Sequence, residues 1–190
     1  QTRKAKAKKN ILELAAELMA SAAAREMKRA EKLVTGDGLY EEFAARFPYE
    51  ETDDQLNAIE DVLGDLSSGR PMDRLICGDV GFGKTEVALR AAFVTAMQGM
   101  QVAVIAPTTL LARQHYQTFL ERFSGWPLIV NPLSRFVSTK DANETKSGMT
   151  AGTVDVVVGT HALLAKNVDF KRLGLLIVDE EQRFGVKHKE

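Results

Sequence analysis

The hydrophobic and polar positions of this 190-residue chain form blocks that predict helices separated by short apolar strands. Residues 2–33 are rich in Ala, Leu, Lys and Glu, and their apolar positions recur at helical spacing, which predicts one long helix with a buried stripe. Further helices are predicted over residues 39–47, 53–66, 84–97 and 140–149, and another begins after residue 107. Apolar runs predict strands at residues 75–77, 101–106, 128–133, 154–158 and 175–178.

The order of these elements predicts the fold class. Because strands and helices alternate, we expect an α/β protein with a doubly wound, largely parallel sheet and helices on both of its faces. Residues 1–50 carry only predicted helices, and we interpret them as an N-terminal helical extension. Residues 51–190 contain all the predicted strands, and we interpret them as the α/β lobe.

Composition and charge narrow the functional classes. The hydrophobic content of 45% and the charged content of 27% are typical of a soluble globular protein, and no apolar run is long enough to span a membrane. A formal net charge of -1 means that any contact with nucleic acid must come from a local basic patch. The chain begins with Gln1 and not with Met, so we expect it to be part of a longer protein.

The cysteine content indicates the compartment. A single cysteine, Cys77, excludes an internal disulfide and is compatible with the reducing cytoplasm. Because Cys77 ends the apolar run at residues 75–77, we predict that it is a small buried residue of a central strand.

A glycine-rich stretch after the first predicted strand provides the strongest chemical signal. It fits the pattern G-x-x-x-x-G-K-[ST] at every fixed position and reads Gly78-Asp79-Val80-Gly81-Phe82-Gly83-Lys84-Thr85. The glycines allow consecutive backbone N–H groups to face the phosphates of a nucleotide, and the helix that begins near Lys84 adds its positive dipole end. Lys84 would reach the β and γ phosphates, and the hydroxyl of Thr85 would bind Mg²⁺. The alternative is an ordinary glycine-rich turn between a strand and a helix.

A second candidate contact with the nucleotide lies upstream of this loop. Thr52 is predicted to cap the helix over residues 53–66, and Gln55 follows it three residues later. A side-chain amide can accept a hydrogen bond from the adenine amino group and donate one to a ring nitrogen, so Gln55 could select adenine. Phe47, five residues before Thr52, is a further candidate nucleotide contact. The alternative for Gln55 is a solvent-facing position on the helix.

Acidic residues follow the last predicted strand directly. Ligands of doubly wound sheets bind beyond the carboxyl ends of the strands, which is where Asp179 and Glu180 are expected. Asp179 can hold Mg²⁺, usually through water, and Glu180 can orient and deprotonate an attacking water molecule. The alternative is a charged turn.

Two other strand ends carry hydroxyl and basic side chains. Thr108 and Thr109 lie at a predicted helix N-terminus, where they could hold a nucleic-acid phosphate or serve as a plain helix cap. His161 follows the strand at residues 154–158 and could be a ligand, a base or a polar contact at the sheet edge. No Cys or His lies at a metal-binding spacing from it, which favours the polar contact.

Taken together, these motifs resemble the ordered motifs of superfamily 2 helicases and translocases, and they cover the first RecA-like lobe of such a motor. The amino-acid sequence of residues 78–86, 107–112 and 175–190 is similar to that of the bacterial transcription-repair coupling factor family. The fork-reversing branch-migration helicases are the second choice, because that family is expected to place a Gln before a His in the acidic motif, whereas Glu181 precedes Gln182 here.

The resemblance implies an ATP-driven translocase on double-stranded DNA that removes stalled RNA polymerase at lesions and couples transcription to nucleotide excision repair. It implies ATP and Mg²⁺ as cofactors, a cytoplasmic location, no membrane partner, and contacts with RNA polymerase and an excision-repair protein through regions outside this chain. Residues 1–50 would link to the motor, and residues 51–190 would be its first ATPase lobe. The second lobe would supply an arginine finger worth about 10³ to 10⁵ in rate, so hydrolysis by this chain alone should be feeble.

The resemblance also implies a role for each motif residue. The catalytic residues would be Lys84, Asp179 and Glu180. The nucleotide-binding residues would be Phe47, Gln55, Gly78, Asp79, Val80, Gly81, Phe82, Gly83, Lys84 and Thr85, and the Mg²⁺ ligands would be Thr85 and Asp179. The residues that face DNA would be Thr108, Thr109, Arg113, Arg135, Thr160 and His161.

Two alternative functions were compared with this interpretation. A nucleotide-sensing binding module would bind ATP without contacting DNA, and it would lack the salt-dependent affinity for duplex DNA that is expected of a motor. A GTPase or small-molecule kinase is disfavoured because the chain has no Asn-Lys-x-Asp sequence and because Gln55 suits adenine.

Overall fold

The computed structural model describes residues 16, 19–20, 23–25, 27–34, 36, 38–78 and 83–179. The helices are α1 (Leu39–Ala45), α2 (Asp53–Ser67), α3 (Lys84–Met97), α4 (Thr109–Arg122) and α5 (Thr139–Ala151). The strands are β1 (Gln101–Ile105), β2 (Val130–Leu133), β3 (Val156–Gly159) and β4 (Leu173–Val178), and a 3₁₀ helix (His161–Leu164) follows β3. Within the described ranges, no helix is long and apolar enough to cross a membrane.

The four strands form one parallel sheet in the order β2-β3-β1-β4, which confirms the predicted α/β class. All residues of β1 and β3 are buried, as expected for strands that are covered on both faces. β4 lies at the edge of this sheet as far as the described residues show. Its apolar residues Leu173, Leu176 and Val178 are 43%, 47% and 41% exposed.

The register of the sheet brings the four strand ends together. Ile105 of β1 is paired with Gly159 of β3 and with Val178 of β4, and Gly159 is paired with Leu133 of β2. Because the strands are parallel, the segments that follow these four residues lie at one edge of the sheet, which we call the carboxyl edge.

The start of α3 lies toward the same edge. Only residues 98–100 separate the end of α3 from the start of β1, so this end of the helix lies at the opposite edge of the sheet. A helix of 14 residues is about 21 Å long. A strand of 5 residues is about 17 Å long. Because the two lengths are similar, we infer that a helix running back along the sheet places Lys84 near the carboxyl edge.

Helices cover both faces of the sheet, as predicted for a doubly wound fold. Val102 and Val104 of β1 belong to a core cluster that includes residues of α1, α2, α3 and α4. Ala103 and Ile105 alternate with them and belong to a second cluster, which includes Met149 of α5. The two clusters therefore form the hydrophobic layers above and below the sheet.

Aromatic residues join α1 to the first of these layers. The rings of Phe43 and Phe93 are stacked with centroids 4.2 Å apart, and Trp126 meets Phe93 edge-on at 4.8 Å. Such aromatic pairs contribute about 0.5–1.5 kcal/mol beyond the burial of their area. Residues of the predicted N-terminal extension thus pack on the lobe. The division of the chain at residue 50 stays a prediction.

The prediction of a strand at residues 75–77 is wrong. Residues 71–78 have no regular secondary structure, Leu75 is 75% exposed, and Cys77 is exposed although we predicted that it is buried. No described strand pairs with this segment. A run of three apolar residues cannot be distinguished from a loop by periodicity, because a strand also requires a neighbour that accepts its backbone hydrogen bonds.

The helix predicted over residues 2–33 ends earlier than expected. Residues 16, 19–20, 23–25 and 27 are helical, whereas residues 28–34 are not, and residues 2–15 lie outside the described part. The side chain of Leu33 is buried, and its backbone N–H donates to the carbonyl of Leu66 at 2.9 Å. Docking against the end of α2 therefore outweighs the helix propensity of this segment.

We expect the substitution Asp155→Asn to reduce the pH dependence of stability. Burial raises the pKa of the Asp155 carboxyl, and the hydrogen bond from the backbone N–H of Ile129 at 2.7 Å offsets this only in part. With a raised folded-state pKa, the free energy of unfolding decreases as the pH rises from about 4 through that pKa. An amide keeps the acceptor and does not titrate, so the variant should lose this decrease.

Thermal unfolding from about pH 4 to about pH 7 tests this expectation. Asp169→Asn, at an exposed position, is the control and should unfold with the pH profile of the wild type. An unchanged profile for Asp155→Asn would show that this carboxyl does not link stability to pH.

Candidate functional site

The end of the glycine-rich loop forms the start of α3. Gly83 is the N-cap residue with φ of 75°, a left-handed conformation that favours glycine. The amine of Lys84 donates to the carbonyl oxygen of Gly78 at 2.7 Å, so this side chain reaches back along the loop to its first residue. The intervening predicted residues, Asp79, Val80, Gly81 and Phe82, lie outside the described part.

The described residues at this loop fit a phosphate group. None of their side chains caps the first turn of α3, so backbone N–H groups at this positive helix end are available to an anion. Lys84 is exposed and provides a cation, and Thr85 follows it in the first turn. The described residues contain no cluster of three or more acidic, His or Cys side chains that could hold a metal.

Gln55 connects α2 to the end of this loop. It is 6% exposed, so the solvent-facing alternative is wrong. The side-chain Oε1 of Gln55 accepts a hydrogen bond from the backbone N–H of Thr52 at 2.9 Å. The backbone N–H of Gln55 donates to the Thr52 hydroxyl at 3.2 Å, which confirms the predicted cap. A Cβ atom at Gly83 would lie 1.7 Å from Nε2 of Gln55. The Gln55 amide therefore packs directly on the backbone at Gly83.

Phe47 lies beside a charged cluster that the sequence analysis did not identify. The guanidinium carbon of Arg90 is 5.8 Å from the centre of the Phe47 ring, and Arg90 also forms an ion pair with Glu51. The hydrogen bond from Arg90 holds the pKa of Glu51 below its ordinary value. Phe47 is half-buried and lies 5.6 Å from the ring of Tyr49. Arg90 thus joins the segment that precedes α2 to the helix that follows the phosphate loop.

Glu86, two residues after Lys84, is the centre of this cluster. Its Oε1 accepts from Nε of Arg90 at 2.8 Å and from Nη2 of Arg122 at 2.8 Å. The side chains of Glu86 and Arg90 are 3% and 4% exposed, so the pair is buried. Because Arg122 ends α4, the cluster ties the phosphate-loop helix to α4. The spacing of Glu86 and Arg90, four residues apart and followed by a mostly apolar helix, was the available signal.

Asp179 follows β4 at the carboxyl edge and is held at two points. Its backbone N–H donates to the carbonyl of Ile105 at 2.9 Å. Its Oδ2 lies 2.7 Å from Nε2 of His115 on α4. An ionised carboxylate can only accept, so the His115 ring donates. No role was predicted for His115 from the sequence. Glu180 lies outside the described residues.

The first turn of α4 carries the predicted DNA-facing threonines. Thr108 is the N-cap residue, and its hydroxyl accepts from the backbone N–H of Leu111 at 3.2 Å. Thr109 begins the helix, and Arg113 is exposed one turn later. The helix-cap alternative is therefore confirmed for Thr108, and it does not exclude a second hydrogen bond to a phosphate, because a hydroxyl has both a donor and two acceptor sites.

The other predicted DNA-facing residues follow β2 and β3. Arg135 is exposed, with its guanidinium carbon 5.2 Å from the centre of the Phe136 ring. Thr160 is 7% exposed, whereas His161 is exposed at the start of the 3₁₀ helix. A Cβ atom at Gly159 would lie 2.1 Å from the carbonyl oxygen of Leu133, so only glycine fits this close approach of β2 and β3. The three predicted DNA-facing segments thus follow strands that end at the same edge of the sheet as β4, which precedes Asp179.

Comparison with known proteins identifies the sequence family. The DEAD/DEAH box helicase family matches residues 52–190. The chain is 52% identical over 187 residues to the transcription-repair-coupling factor of Staphylococcus haemolyticus (strain JCSC1435), and 51% identical over 187 residues to that of Bacillus subtilis (strain 168). Each alignment covers 98% of this chain and 16% of the relative, so the chain spans about a sixth of the length of these curated relatives.

Solved structures agree with this result. A structure of RecG bound to a three-way DNA junction superposes with a TM-score of 0.80 and 38% identity, covering 87% of this chain and 23% of the RecG chain. A hypothetical ATP-dependent RNA helicase from Sulfolobus tokodaii superposes with a TM-score of 0.57 and 19% identity, covering 77% of this chain and 42% of that one, and supports the fold alone. The resemblance drawn from the motifs is confirmed, and the identity is higher to the coupling factors than to RecG.

Proposed function

This chain belongs to the DEAD/DEAH box helicase family, and from that premise we propose that it is the ATP-binding half of a double-stranded DNA translocase that removes stalled RNA polymerase at lesions and couples transcription to nucleotide excision repair. The similarity to transcription-repair-coupling factors supports this function. The observation that supports this proposal most is the position of Lys84. It lies at the start of α3, where no described side chain caps the helix, and its amine donates to the carbonyl of Gly78, the first residue of the loop. Because such a translocase acts on chromosomal DNA, we propose the cytoplasm as its location.

In this proposal the nucleotide lies at the start of α3. The triphosphate accepts hydrogen bonds from the loop N–H groups and replaces Gly78 as the partner of the Lys84 amine. The adenine lies toward Phe47 and Gln55. Oε1 of Gln55 accepts one hydrogen bond from the Thr52 cap and keeps a second lone pair, so this oxygen can still accept from the adenine amino group.

Hydrolysis involves residues at the carboxyl edge. Mg²⁺, held by Thr85 and Asp179, would neutralise charge on the phosphates. Glu180 would orient a water molecule and accept its proton, which is a role that suits a carboxylate. A second lobe would complete the site with an arginine, so ATP binding and not turnover is the appropriate measurement for this chain.

The DNA-facing surface of the proposal is formed by the segments after β1, β2 and β3. Its residues are Thr108, Thr109, Arg113, Arg135, Thr160 and His161. Hydroxyls, guanidinium groups and a helix N-terminus are groups that bind phosphate without reading the base sequence, as a translocase requires. The contacts with RNA polymerase and the excision-repair protein would be made by other parts of the longer protein.

Substituting Lys84 by Ala is expected to weaken ATP binding by about 10- to 100-fold, because a hydrogen bond to a charged group contributes about 1.5–3 kcal/mol. Calorimetric titration of the 190-residue chain with ATP and Mg²⁺ measures this affinity. Lys140→Ala is the matched control, since its side chain is 83% exposed on α5, and it should bind as the wild type does.

The same titration with a short DNA duplex tests the DNA part of the proposal. The wild type should bind duplex with an affinity that falls as salt is added, and Arg135→Ala should weaken it. ATP binding without any affinity for duplex would favour a nucleotide-sensing module. If Lys84→Ala bound ATP as tightly as the wild type, residues 78–85 would not be the phosphate-binding loop.

A further inference from the structure

The contact between His115 and Asp179 joins two parts of the site that the sequence separates widely. Nε2 of His115 lies 2.7 Å from Oδ2 of Asp179, and the two side chains are 20% and 33% exposed. A charge-assisted hydrogen bond of this length, in a half-buried position, restricts the rotation of the carboxylate. One carboxylate oxygen is therefore committed to α4, while Oδ1 remains for other ligands.

The backbone of Asp179 is also bonded to the segment formed by β1 and α4. The N–H of Asp179 bonds the carbonyl of Ile105, the last residue of β1, and β1 leads through residues 106–108 into α4. Both the backbone and the side chain of Asp179 are thus held by the continuous β1–α4 segment. A displacement of α4 relative to β1 would therefore move the Asp179 carboxylate, whereas the Asp179 backbone would stay bonded to β1.

The first turn of α4 is the part proposed to face DNA. His115 lies six residues after Thr109, which corresponds to roughly 9 Å along a rigid helix. At the far end of the helix, Arg122 bonds Glu86, two residues after Lys84. A single 14-residue helix therefore contacts Asp179 and also Glu86, which directly follows the phosphate loop, and it begins at the DNA-facing edge.

We infer that His115 is a positioning residue: it aims the Asp179 carboxylate, and it transmits DNA contact at the start of α4 to Mg²⁺-dependent nucleotide binding. The inference rests on the proposed function, because it requires an ATP site at α3 and a DNA surface at α4. It differs from that proposal in assigning the link between the two sites to one side chain.

His115 acts through Asp179 and not on the nucleotide. Loss of its hydrogen bond frees the carboxylate to rotate, so a metal ligand is no longer held in one orientation. Removal of such an outer partner of a metal ligand typically costs about 10- to 100-fold in metal affinity. Nucleotide binding without metal uses the loop and Lys84, and it does not depend on this carboxylate.

The test compares His115→Phe, which keeps a ring of similar size without the donor, with His115→Gln, which restores an N–H near the position of Nε2. ATPγS affinity of the 190-residue chain is measured in EDTA and in Mg²⁺, each with and without a short DNA duplex. Gln117→Ala is the control on the same helix, because Gln117 is exposed and bonds only the neighbouring Glu121 among the described residues.

We expect the gain in affinity from Mg²⁺ to fall about 10-fold in His115→Phe, with the affinity in EDTA unchanged. The effect of DNA on the Mg²⁺-dependent affinity should disappear in the same variant. His115→Gln and Gln117→Ala should behave as the wild type. If His115→Phe does not fold, His115→Ser, which is too short to reach Asp179, takes its place.

The outcomes separate the inference from the proposed function. A wild-type chain that binds no ATPγS at all overturns both. A wild type that binds ATPγS and duplex, with His115→Phe retaining the full Mg²⁺ gain and the full DNA effect, overturns the inference alone. Equal losses in His115→Phe and Gln117→Ala would show a general effect of α4 and would also overturn it.

Discussion

Glu180→Gln, made in a protein that carries both motor lobes, is expected to leave ATP binding intact and to lower ATP turnover about 10²- to 10⁴-fold. Glutamine has the size of glutamate and can still orient a water molecule, but it cannot accept its proton. Binding depends on the loop and Lys84, so the two measurements should separate. Steady-state phosphate release gives the turnover, and titration with ATPγS gives the affinity.

Glu181→Gln is the matched control for this experiment. It makes the same chemical change one residue further along the acidic run and should retain most of the turnover. If Glu180→Gln turned over ATP as fast as the wild type, the base would have to be another residue.

Glu86→Ala is expected to destabilise the fold by about 3–5 kcal/mol, which is the usual cost of removing one partner of a buried ion pair. Arg90 is 4% exposed and would lose its Nε partner, while Arg122 would lose the partner of its Nη2 group. The ion pair of Arg90 with Glu51 would remain, which favours the lower part of this range.

Urea unfolding followed by tryptophan fluorescence measures this effect. The chain has a single tryptophan, and Trp126 packs edge-on against Phe93 in the aromatic cluster beside the charged residues, so its emission reports the loss of this core. Glu121→Ala removes an acidic residue from the surface of α4 and should change stability by less than about 0.5 kcal/mol. A Glu86→Ala midpoint equal to that of the wild type would mean that the cluster adds no stability.

The sequence predicted the elements whose signals are local. The helices α2 and α3 begin where Thr52 and Lys84 indicate, because capping and a glycine before the first turn determine a helix start over a few residues. The apolar runs of β1 and β3 gave central strands, because strands buried on both faces are apolar throughout.

The wrong predictions concern segments whose structure depends on distant partners. Residues 75–77 have the composition of a strand, but no described strand pairs with them. Residues 28–34 have the composition of a helix, but the burial of Leu33 against α2 determines their path. A local pattern contains no information about whether such a partner is present far along the chain.

The candidate site shows the same division. The phosphate loop and the acidic strand end were identified from short motifs that include the residues themselves. The partners that position them, His115 for Asp179 and Arg122 for Glu86, were missed because 64 and 36 residues separate the members of each pair. Only the parallel sheet brings them within hydrogen-bond distance.

The central position of β1 has a consequence for the order of folding. Both of its neighbours, β3 and β4, come later in the chain, and parallel neighbours cannot be formed by a local hairpin. During synthesis, the apolar strand β1 therefore waits with both edges unpaired until Val156 and then Leu173 have left the ribosome. A chain that stops before Leu173 should leave the β4-facing edge of β1 unpaired and should aggregate, even if its nucleotide-binding loop is intact.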